Sequence, residues 1–154
     1  MDEIHLEIGN RDDPTDEIVG AVSISINGHD LVQIVREMKL PFAARDGKPD
    51  LAGGYVGLSP SEVFFPSRRF LGESKTYYDN DGPDDKLAVL GCGCGEVACW
   101  PLLVRITLRE DTVIWSDFEQ PHRRHWRHHG LGPFLFDRSR YLDALQRPDD
   151  TRTH

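Results

Sequence analysis

The stretch "WPLLVRITLREDTVIWSDF", residues 100–118, constrains the fold more than any other. Two runs rich in β-branched and aromatic residues flank the short polar connection "RED", a spacing that predicts an antiparallel hairpin. If the turn centres on Glu110 and Asp111, paired residues have numbers summing to 221. Arg109 then faces Thr112, Ile106 faces Trp115 and Leu103 faces Phe118. Carried outwards, the same ladder sets Cys99 opposite His122. Opposed residues in an antiparallel pair hold their Cβ atoms about 5 Å apart.

Two more segments alternate at period two, as half-buried strands do. In "IHLEI" (4–8) Ile4, Leu6 and Ile8 share a face, and in "IVGAVSISI" (18–26) Ile18, Val22, Ile24 and Ile26 share one. After the turn "NGHD", Leu31, Ile34, Val35 and Met38 fall on one side of a helix. Asp30 is placed to cap that helix, and Pro41 is expected to end it. A short buried strand is expected at 86–90, and a second helix over 136–147, with Asp137 as its cap and Phe136 stapled onto Tyr141. The Gly-, Pro- and Asp-rich residues 41–85 show no sustained period and read as a long irregular central segment. Within it, "DNDGPDD" lacks the glutamate that closes an EF-hand loop and reads as an acidic turn. The fold class expected is α+β: residues 1–147 form a single domain with an antiparallel sheet and two packed helices, and residues 148–154 form a disordered tail.

Composition sets outer limits on function. The 154 residues carry 18 Lys plus Arg against 26 Asp plus Glu, a net charge of −8. That balance disfavours nucleic-acid and membrane-surface binding and is compatible with a basic protein partner. The start "MDEIHLEIGNRDD" has no apolar core of signal-peptide length, so a cytoplasmic location is expected. Thiols there stay reduced, and three cysteines cannot form a complete set of disulfides within one chain.

All three cysteines lie in "GCGCGEVACW" (91–100). Zinc takes four tetrahedral ligands from thiolate and imidazole, and Gly91, Gly93 and Gly95 give a C-x-C segment the freedom to turn. With His122 brought in by the hairpin, the expected site is Cys3His: Cys92, Cys94, Cys99 and His122 around Zn2+. A closed set of four leaves no position for water, so the site would be structural. Plain packing of small buried thiols competes with it. So does a thiol enzyme using Cys94 and His122, with Asp117 or Glu119 behind the imidazole. The run "HRRHWRHHG" (122–130) adds Arg123, Arg124 and Arg127 as candidate anion ligands, with Trp126 available to stack. His125 and His129 stand four apart, but without the acidic residue of a HExxH motif.

Taken together, "CGCGEVACWPL", "VIWSDFEQPHR" and "LGPFLFDRSRY", with "INGHDLVQIVRE" upstream, resemble a group of short bacterial proteins of actinobacterial type. The resemblance spans roughly residues 20 to 145. It implies a bacterial origin and a single cytosolic domain, and no activity. The function expected from all of this is non-enzymatic: a partner-binding module built around a structural metal site.

Overall fold

Hydrophobic alternation at the N-terminus produces the first hairpin. The computed structural model describes residues 1–11, 19–47, 55–58, 69–71, 86–92, 101–120, 131–146 and 149–150. Strand β1 (Ile4–Arg11) pairs antiparallel with β2 (Val19–Ile26). Its register sets Leu6 against Ile24 and Ile8 against Val22, so the apolar face is continuous across both strands. Asn27 and Gly28 follow with positive φ (56° and 81°), as a tight turn into the two-residue β3 (His29–Asp30) requires.

Helix α1 runs Leu31–Arg45. Asp30 caps it, its carboxylate accepting from the Val32 N–H at 2.8 Å. Leu31 and Val35 are buried, and Ile34 and Met38 pack against the same core. Pro41 does not end the helix as expected. Beyond it Phe42 packs on the core and Ala43 is buried, so tertiary burial carries the chain through a further turn despite the missing N–H.

The second sheet has order β4-β5-β6-β7-β8, from Tyr55–Gly57, Lys86–Cys92, Leu102–Leu108, Thr112–Glu119 and Phe134–Asp137. All its pairings are antiparallel. Helix α2 (Arg138–Gln146) follows β8, with Asp137 at its start accepting from the Arg140 N–H at 3.0 Å. Asp149–Asp150, within the tail expected to be disordered, forms β9 and pairs in parallel with Glu7 and Ile8 of β1. The first sheet thus has order β3-β2-β1-β9. The α+β class holds, and the strands divide between two sheets rather than one.

One apolar cluster joins the sheets. It takes Leu6, Val22 and Ile24 from the first, Leu87, Leu102, Val113 and Trp115 from the second, and Tyr141 and Leu145 from α2. Trp115 sits against Phe70, Phe118, Phe136 and Tyr141 with ring centroids 5.7–6.4 Å apart, three of these contacts being edge-on. Its Nε1 donates to the Tyr141 hydroxyl at 3.0 Å, and that hydroxyl donates to the Phe70 carbonyl. Both polar atoms of the aromatic core are therefore satisfied. Burial pushes the Tyr141 phenol well above its ordinary pKa. The expected Phe136–Tyr141 staple is present, with centroids 5.4 Å apart.

Asp2 and Asn27 tie the sheets together at the N-terminus. Asp2 donates its N–H to the Leu135 carbonyl, and its carboxylate accepts from the Leu135 N–H and from the Asn27 side-chain amide, each at 2.8 Å. No helix among the described residues is long and apolar enough to cross a membrane.

Candidate functional site

The β6–β7 hairpin follows the expected register at its closed end. Ile106 pairs with Trp115, Thr107 with Ile114 and Leu108 with Val113, and the Arg109 N–H donates to the Thr112 carbonyl at 2.8 Å. Beyond Ser116 the ladder slips by one. Leu103 faces Glu119, not Phe118, so numbers that summed to 221 now sum to 222. The extra residue lies at Asp117, whose φ is +55°. Such a bulge keeps the inward face apolar: Val113, Trp115 and then Phe118 are buried, while Asp117 turns out to solvent. The pairing of Cys99 with His122 rests on an unslipped ladder and loses that support. The slipped register, carried to the same distance, would set Cys99 against position 123.

A second irregularity lies across the sheet. β5 pairs with β6 as Ala88 with Leu103 and then Leu90 with Leu102, leaving Val89 as the additional residue. Both disruptions therefore flank the same end of β6. At that end the last residues of β5, the first of β6 and the last of β7 lie side by side, because the three strands alternate in direction. Cys92 closes β5, its backbone paired with Tyr55. Cys94, Cys99, His122, Arg123, Arg124 and Arg127 lie outside the described residues. Among the described residues, no group of three His, Cys, Asp or Glu side chains is placed to hold a metal ion.

Gln120, just past β7, is 1% exposed, and neither its amide nitrogen nor its oxygen has a hydrogen-bond partner among the described residues. A buried amide left in that state costs about 1–3 kcal/mol per group. The Trp115 N–H and the Tyr141 hydroxyl, at the closed end of the hairpin, both have partners.

Next to Gln120, Glu119 accepts from the Lys86 ammonium at 2.7 Å, and Arg105 bonds the Asp117 carboxylate. Lys86 is buried, its side chain 10% exposed against 21% for Glu119. Asp117 and Glu119, considered as supports for a catalytic His122, are thus engaged with cations on β6 and β5. Ser116 also donates to Asp117, at 3.2 Å. A cavity of about 390 Å3 opens beside these residues, lined by Lys86, Ser116, Asp117, Phe118, Leu131 and Pro133 among others. Gly132 completes the wall at φ +72°, where a Cβ would lie 3.2 Å from the Phe134 nitrogen, so only glycine fits comfortably.

Sequence reasoning missed Lys86 as a functional candidate. It opens the apolar run "KLAVL", where a lysine reads as a solvated strand end. The available signal was the pair of carboxylates at 117 and 119, which need cations once the strand is placed inside a sheet.

Comparison with protein families, with curated proteins and with solved structures finds no match.

Proposed function

We propose that this chain is a small binding domain in which Cys92, Cys94, Cys99 and His122 hold a structural Zn2+ at one end of the five-stranded sheet. The observation that supports it is the convergence of three strand ends. Cys92 is the last residue of β5, Cys99 precedes buried Pro101 at the entry to β6, and His122 follows buried Gln120 at the exit from β7. Segments leaving neighbouring strands at one end of a sheet start only a few strand spacings, about 5 Å each, from one another. The slipped register removes strict cross-strand opposition, but a metal site needs proximity and not ladder pairing. The unsatisfied amide of Gln120 fits a polar centre at this end.

Bound zinc would supply a cross-link between loop and strand, adding its binding free energy to folding. Four protein ligands leave it no open position, so the domain works by binding a partner and not by catalysis. Arg123, Arg124 and Arg127, next to His122 in sequence, would give an otherwise acidic domain a local basic patch for an acidic partner.

Metal analysis of tag-free protein tests this, combined with thiol alkylation. The expected result is about one zinc per chain, with alkylation slow until a chelator is added. Zinc below about 0.2 per chain, with thiols equally reactive with and without chelator, overturns it. One fast-reacting thiol in metal-free protein would instead favour the enzyme centred on Cys94 and His122.

A further inference from the structure

We infer that the cavity beside the β7 bulge binds a free α-amino acid with an apolar side chain, its carboxylate held by Lys86 and its ammonium by Asp117.

The charges select a zwitterion. Four ionised side chains meet here: Lys86, Arg105, Asp117 and Glu119. A ligand carrying one charge of each sign matches both of the groups that line the cavity, Lys86 and Asp117.

Both groups have bonding capacity to spare. An ammonium offers three N–H donors. Among the described residues, the hydrogen-bond partner of Lys86 is Glu119 alone, which leaves two donors. Arg105 and Ser116 both bond the same oxygen of Asp117, Oδ2, and Oδ1 accepts from no described residue. Lys86 lies on β5, two strands from Asp117, yet its side chain crosses β6 to reach Glu119 on β7. The ammonium is therefore carried towards the strand that bears Asp117.

The backbone is arranged to present Asp117. At φ +55° it occupies a region that non-glycine residues seldom enter, Asp and Asn being the more tolerant exceptions. The bulge turns this carboxylate outwards, its side chain 56% exposed, while Phe118 continues the buried face. Phe118, Leu131 and Pro133 then give the cavity an apolar wall for a hydrocarbon side chain. A volume of about 390 Å3 lies at the small end of the range for ligand sites, about 300–1,000 Å3.

Amide NMR of the full chain titrated with L-leucine tests the assignment. The backbone signals of Ser116, Asp117, Phe118 and Gly132 should shift together, with a dissociation constant of about 1 mM. Isoamylamine, which lacks the carboxylate, and 4-methylpentanoate, which lacks the ammonium, should each bind at least about tenfold more weakly. Asp117→Asn keeps a side chain suited to positive φ and should weaken L-leucine binding at least about tenfold with an unchanged melting temperature. No shift at about 50 mM L-leucine overturns the inference, as does either analogue binding as tightly as L-leucine. The analogue comparison uses the unaltered protein, so it stands even where a variant folds poorly.

Discussion

The two ends of the β6–β7 hairpin are built on different principles. The closed end, from Ile106 to Trp115, keeps a regular ladder and packs aromatic rings whose polar atoms all find partners. The open end has a slipped ladder, a residue at positive φ, a partly buried ion pair and a buried amide with no partner among the described residues. The first end is stabilised by burial and is complete in itself. The second accumulates polar groups, and strain and unmet polar groups gather where proteins bind things.

Removing the centre of the closed end should have the largest effect. Trp115→Ala deletes four ring contacts from a fully buried site and is expected to cost about 4 kcal/mol in urea unfolding. A loss under about 1 kcal/mol would mean that this end is not the stable half.

Tyr141→Phe is the sharper and smaller probe. It preserves the ring but strands the Trp115 N–H and removes the hydroxyl that donates to the Phe70 carbonyl, at a cost of about 1–3 kcal/mol. It should also change the alkaline limb. Desolvation raises the pKa of Tyr141 in the folded protein, whereas in the unfolded chain it ionises near 10. Its contribution is thus complete below about pH 10 and is lost as pH rises from there towards the raised folded value. Wild-type stability should therefore fall more steeply than that of Tyr141→Phe above about pH 10, measured by urea midpoints along a pH series. Parallel curves would place the hydroxyl in contact with solvent.

The contrast also decides what could be read from sequence. The closed end was legible because period-two alternation and a short polar turn fix a register without reference to the rest of the fold. The open end was not, because a bulge at Asp117 depends on which face must be buried one and three residues later, at Phe118 and Gln120. Strand β8 is hidden in the sequence for a related reason: "FLFD" is only four residues and runs directly into the following helix. Pro41 misled because a local rule about helix ends yielded to burial of Ala43. The pairing of Lys86 with Glu119 joins residues 33 apart on non-adjacent strands, and no local pattern announces it. Of the four expected metal ligands, Cys92 alone falls in a described strand.

Hydrogen exchange of the two ends, with and without a zinc chelator, tests whether a metal holds the open end together. If zinc closes the open end, chelation should speed exchange at Val89, Gly91, Leu103 and Gln120 by about tenfold or more, while Val113 and Trp115 stay protected. Equal protection of both ends before and after chelation would contradict a metal-held strand end.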